Sequence, residues 1–62
     1  MSMGVAAKVV GEHRPVEVEF SRHTVRITVG YRGDSMGTEI TRREWDAIVK
    51  TGLIWIPGKR EE

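Results

Sequence analysis

The stretch from Ile40 to Leu53 constrains this chain most, because it carries both the start and the stop signals of one short helix. Thr41 followed by Glu44 spells a capping box. In such a box the threonine hydroxyl accepts from the Glu44 backbone N–H, and the Glu44 carboxylate accepts from the N–H of Thr41. Ile40 and Trp45 occupy the two positions of a hydrophobic staple across the helix entry. At the far end Gly52 suits the left-handed residue that follows a C-cap, with Leu53 placed to close onto Ile48. Between these signals Trp45, Ile48 and Val49 fall at i, i+3 and i+4, which makes one narrow apolar stripe. A helix of about three turns is not stable alone in water, so the stripe must dock on a surface built by the preceding residues.

That surface is legible upstream. Val16, Val18 and Phe20 alternate with Glu17 and Glu19, and Val25, Ile27, Val29 and Tyr31 alternate with Arg26, Thr28 and Gly30. Period two with β-branched and aromatic residues predicts two half-buried strands. A tight connection through Ser21-Arg22-His23-Thr24 sets Phe20 against Val25, Val18 against Ile27 and Val16 against Val29. A slip of one residue would turn that whole set to solvent, so the register is strongly specified. Val5 to Val10 reads as a first strand, closed by a turn through Gly11 to Pro15. Arg32-Gly33-Asp34-Ser35 reads as a four-residue turn before a short strand, Met36 to Ile40. That turn pairs Tyr31 with Met36, Val29 with Thr38 and Ile27 with Ile40, and sets Gly30 opposite Gly37 on the outer face, as a twist or a bulge would require. Residues 1–4 and 58–62 are expected to be disordered, since nothing in them holds a chain end down.

The totals bound the rest. With 62 residues there is one small domain, which needs a compact core or a partner to be stable. No cysteine is present, so there is no disulfide framework and no cysteine zinc site. His13 and His23 are too isolated to hold a metal, and no cofactor is expected. No carboxylate pair, nucleophile–base spacing or phosphate-cradling glycine loop stands out, so the chain reads as a non-enzyme without a small-molecule substrate. No apolar run approaches the roughly 20 residues of a membrane span, and the first residues lack a leader pattern, which predicts a cytoplasmic protein.

Three surfaces invite a functional reading. Arg32-Gly33-Asp34-Ser35 spells the tetrapeptide of integrin-binding loops, but Gly-Asp-Ser is ordinary turn chemistry. The outer sheet face carries Arg26 at its middle, Arg22 at one end and Arg32 at the other, with Lys8 on the first strand. Arginine with hydroxyl residues on an open sheet can track a sugar–phosphate chain, so Lys8, Arg22, Arg26 and Arg32 are the expected nucleic-acid contacts. Glu17, Glu19 and Glu39 project from the same face, and ten Lys+Arg against nine Asp+Glu leave a net charge of only +1. The third surface is Leu53-Ile54-Trp55-Ile56, four apolar residues stopped by Pro57, which in a globular monomer form a last short strand or an extended arm lying on the core. Alternation puts Leu53 and Trp55 on one side and Ile54 and Ile56 on the other, and a chain this small hardly covers both. This segment, or a sheet edge, is therefore the expected contact for a protein partner.

The runs Val16 to Phe20, Val25 to Tyr31 and Gly37 to Ile48 together resemble the transcriptional coactivator p15 (positive cofactor four) family, over about half the chain. The resemblance implies a curved antiparallel sheet followed by a helix, a homodimer, and single-stranded DNA binding in a basic groove bearing aromatic residues. Gly52 ends this helix where the family helix runs on to form its dimer interface, and this sheet is mixed in charge where the family's is basic. The sequence thus predicts an α+β fold, with three or four antiparallel strands and one C-terminal helix packed on one face, as a homodimer. It predicts a non-catalytic protein that binds nucleic acid, single strands above all and in transcription, or else a small interaction or inhibitory module acting on a protein partner.

Overall fold

A computed structural model describes residues 4–31 and 33–58. Five strands and one helix follow in the order β1 (Val5–Val9), β2 (Val16–Phe20), β3 (Thr24–Tyr31), β4 (Asp34–Thr41), α1 (Arg42–Thr51) and β5 (Ile54–Trp55). The strands form one sheet in the spatial order β4-β3-β2-β1-β5, with every pair antiparallel. The fold is α+β as expected, but with five strands instead of three or four. The added strand arises because the chain leaving α1 runs back along the free edge of β1, pairing Val9 with Ile54 and Lys8 with Trp55.

The central hairpin has the register its alternation requires: Val16 faces Val29, Val18 faces Ile27 and Phe20 faces Val25. β1 joins the other side of β2 with Val5 opposite Val18 and Ala7 opposite Val16, which continues the apolar face. The turn between β3 and β4 departs from the expectation. Tyr31 pairs with Asp34, so only two positions separate the strands, and β4 begins at Asp34 instead of Met36. Gly33 supplies a left-handed φ of 88°, and two-residue hairpin loops favour turns with positive φ because their twist matches that of the paired strands. The pairing slides by two, so Val29 meets Met36, Ile27 meets Thr38 and Val25 meets Ile40. A slide of two leaves every side chain on its own face, and it separates the two glycines: Gly37 faces Thr28 and Gly30 faces Ser35. The ladder runs unbroken from Thr24 to Tyr31, so no bulge interrupts it. Gly30 has φ 117°, and a Cβ there would lie 2.6 Å from the Asp34 carbonyl oxygen.

α1 is capped as its sequence requires. The Glu44 N–H donates to Thr41 Oγ1 at 3.1 Å, and the Thr41 N–H donates to Glu44 Oε1 at 2.8 Å. Gly52 has φ 79° and its N–H donates to the Val49 carbonyl. The helix lies across the inner face and buries Trp45 against Ala7, Val16, Val18, Val25 and Ile54, with Ile40 and Ile48 packed at the margin of this core. Among the described residues no polar or charged residue is buried, so burial of apolar surface holds the layers together. The staple partner Ile40 is half-buried, while the Trp45 ring meets Phe20 edge-on at 5.4 Å. Leu53, expected to close onto Ile48, stays 50% exposed and uses its carbonyl to accept from the Val10 N–H. The expectation of disordered ends concerns mainly residues 1–3 and 59–62, which lie outside the described residues. No helix among the described residues is long and apolar enough to cross a membrane.

Candidate functional site

The outer face of the sheet carries the residues expected to meet nucleic acid. Pairing sets Arg26 directly between Glu19 on β2 and Glu39 on β4. Opposite charges facing across strands neutralise one another locally, so this row carries two carboxylates for one guanidinium. Glu39 also accepts a bond from the Thr24 hydroxyl at 2.9 Å. In the next row Thr28 lies between Gly37 and Glu17, with Ala6 beyond on β1. Lys8 is on β1 opposite Trp55, two strands away from Arg26 and near the other edge. Arg22 is exposed in the β2–β3 connection, beyond the end of the strands. Arg32 lies outside the described residues. The small side chains of Ala6, Thr28 and Ser35 and the bare Gly30 leave a shallow hollow of about 400 Å³ on this face, with Glu17 in its lining.

A different part of the basic set is gathered at one pole. The Arg42 N–H donates to the His23 carbonyl at 3.3 Å. The Arg42 guanidinium donates to the Ser21 carbonyl at 3.0 and 2.8 Å and sits 5.3 Å from the centre of the Phe20 ring. Arg42 thereby clasps the β2–β3 connection to the start of α1, which brings Arg22, His23, Arg42 and Arg43 to the same end of the molecule. Bonds from a charged donor and stacking on an aromatic ring suit arginine where lysine would offer neither the fork nor the plane.

On the helix side, α1 and the returning chain enclose a cleft of about 450 Å³. Phe20, Trp45, Val49, Trp55 and Ile56 supply its apolar lining, and Arg42 and Asp46 its polar groups. The segment from Leu53 to Ile56 divides as alternation predicts. Ile54 is 3% exposed and belongs to the core, and Ile56 is half-buried beside the cleft. Leu53 and Trp55 face out, Trp55 at 47% exposure. Trp45 is a wall packed on Phe20, whereas Trp55 is an indole with nearly half its surface in water.

Sequence reading placed Trp55 and Ile56 here but missed Phe20, Arg42, Asp46 and Val49. A signal for three of them was present: Arg42, Trp45, Asp46 and Val49 fall at i, i+3, i+4 and i+7, one face of a helix. Phe20 carried none, because only the docking angle of α1 decides which strand ends border the cleft. Elsewhere, the Glu12 carboxyl is held down at about 2, from an ordinary 4.5, first by side-chain hydrogen bonds from Arg14 and then by the Arg14 backbone N–H. That pair, at 2.7 Å, pins the turn between β1 and β2. Among the described residues no group of three or more histidine, cysteine or acidic side chains is placed to hold a metal ion. Compared with known proteins, the chain matches no family model, no curated protein and no solved structure.

Proposed function

We propose that this chain is a small, non-catalytic protein-binding module of the cytoplasm. It takes an apolar or aromatic side chain of a protein partner into the cleft between α1 and residues 53–56. The observation that carries this reading is Trp55: a tryptophan 47% exposed at the mouth of a cleft lined by Phe20, Trp45 and Val49. Tryptophan beside a preformed apolar pocket is the usual anchor of an interface, with polar groups such as Arg42 and Asp46 forming its rim. Panning a displayed peptide library against the folded protein tests it. Selected peptides are expected to share an aromatic or large aliphatic anchor and to shift the indole N–H resonances of both Trp45 and Trp55. Trp55→Ala should weaken them by about 30-fold, the effect of losing one anchor of roughly 2 kcal/mol. Arg26→Ala should leave binding unchanged. Failure to select any peptide, or equal loss in both variants, removes the reading.

A second reading, single-stranded nucleic acid, is favoured by the pole where Arg42 draws Arg22, His23 and Arg43 together beside an aromatic cleft. The resemblance to the coactivator family also implies single-stranded DNA binding, and Lys8, Arg22, Arg26 and Arg32 are the residues proposed to meet phosphates. Stacking of a base on Trp55 beside a guanidinium is the chemistry such a site offers. Fluorescence anisotropy with labelled single strands at low salt decides between the two. Micromolar binding that weakens steeply with salt supports nucleic acid, and flat titrations leave the protein partner.

A further inference from the structure

The two edges of the sheet are built differently. β5 is a two-residue edge followed by Pro57, which has no N–H to offer a further strand. β4 is an eight-residue edge with no bulge against β3, and its sequence Asp34-Ser35-Met36-Gly37-Thr38-Glu39-Ile40-Thr41 contains neither lysine nor proline. Long edges without such guards pair with other strands. Seven of the eight residues are exposed, and Met36 on the apolar face is 75% exposed.

The ladder also says which backbone groups are free to pair. The Gly30 N–H donates to the Pro15 carbonyl, so it points toward the β2 side of β3 and away from β4. Its partner Ser35 is then in a non-hydrogen-bonded pair with β3, and its own N–H and C=O point outward. By the alternation of an antiparallel ladder the same holds for Gly37, Glu39 and Thr41. The Thr41 N–H agrees with this count, since it bonds to Glu44 and not to β3.

From this we infer that β4 pairs antiparallel with β4 of a second copy of this chain, centred on Thr38, joining two sheets into one. A two-fold axis perpendicular to the sheet keeps inner faces together, so opposed residue numbers must add to an even total. Centring on Thr38 sets Met36 against Ile40 of the second copy on the apolar face, and Glu39 against Gly37 on the other. Each Glu39 then meets a residue with no side chain, and each exposed Met36 meets the half-buried Ile40 of the other copy. Centring on Gly37 instead would set Ile40 against Asp34 and Met36 against Thr38, which wastes the apolar match. Centring on Met36 would match Met36 with itself but leave Ile40 unmatched, so the Thr38 register alone pairs both apolar residues of the strand, and this self-complementarity selects a second copy over an unrelated peptide. The interface lies at the opposite edge of the sheet from β5 and leaves the cleft by Trp55 open.

The test is sedimentation of the full chain from micromolar to millimolar concentration, where the mass should rise from 7.0 kDa toward twice that value. Gly37→Glu places a carboxylate against each Glu39 of the other copy, and two such like-charge pairs should raise the dimer Kd by roughly ten-fold. Gly37→Lys makes the same pairs opposite in sign and should not weaken the dimer. Both fit the strand, since a Cβ at Gly37 meets its nearest atom, Thr28 Oγ1, at 3.7 Å. Independently of any variant, amide exchange at Ser35, Gly37 and Glu39 should slow as concentration rises. A monomer at every concentration overturns the inference. So does a dimer that responds alike to both substitutions, or one whose exchange protection appears elsewhere.

Discussion

At the scale of single residues, the cap of α1 shows how little sequence a helix end needs. Thr41 and Glu44 satisfy each other's backbone N–H groups, and Gly52 closes the other end at φ 79°. Thr41→Ala should cost about 1 kcal/mol in urea unfolding. Gly52→Ala should cost about the same, because only glycine adopts that φ without strain. A cost near zero for both would mean that α1 is held by packing alone. Glu12 makes a prediction in pH. Its carboxyl sits at about 2 in the folded chain against an ordinary 4.5, through hydrogen bonds from Arg14. Because the folded value is the lower one, the contribution to stability is full above 4.5 and is lost as the pH falls through 2. The Glu12 carboxyl carbon should titrate by NMR with a midpoint near 2, and Arg14→Ala should return it to the ordinary range. Both ends of α1 were legible because each depends on neighbours within four residues, whereas the Glu12–Arg14 pair, just as local, was read only from the structure.

At the scale of elements, the β2–β3 hairpin was legible pair by pair and the β3–β4 hairpin was not. The reason is the period of the strand. An error of one residue in β2–β3 would expose Val18 and Val25, both fully buried, so the apolar pattern forbids it. An error of two in β3–β4 changes no face, so the pattern permits both a four-residue and a two-residue loop. The choice fell to turn geometry at Gly33 and to the close approach of Gly30 to the Asp34 backbone. Val25→Ala should therefore destabilise by about 2 kcal/mol, through lost burial and a residual cavity. Met36→Ala, on the exposed stretch of β4, should change the stability of the monomer by less than about 0.5 kcal/mol. Gly30→Ala should cost roughly 1–3 kcal/mol, from strain at φ 117° and a clash with backbone. Denaturant midpoints order the three, and Gly30→Ala ranking with Met36→Ala would refute the account of that turn.

At the scale of the whole molecule, a chain of 62 residues has roughly 3–9 kcal/mol of stability to lose. Among the described residues Trp45 is the one buried aromatic side chain, and Trp45→Ala should cost about 3–5 kcal/mol, enough to leave much of the chain unfolded at 37 °C. Trp55→Ala should keep the fold, as circular dichroism can show, because nearly half of that side chain is already in water. The division between core and contact residues within Leu53 to Ile56 was half legible. Alternation paired Ile54 with Ile56 and Leu53 with Trp55, but it had no means of saying which pair faced in. Likewise the sequence offered Arg22, Arg26, Arg32 and Lys8 as one basic surface, whereas folding sets Arg26 between two carboxylates and gathers Arg22 with Arg42 and Arg43 at a pole. By itself, then, the sequence determined the helix with both its ends, the two central strands and their facing pairs, because caps and period-two burial act over a few residues. Tertiary structure alone decided that the last strand pairs with β1, that β4 is left as an open edge and that a cleft lies between the two tryptophans. Each of these depends on where a docked helix delivers the chain that follows it, which no local pattern encodes.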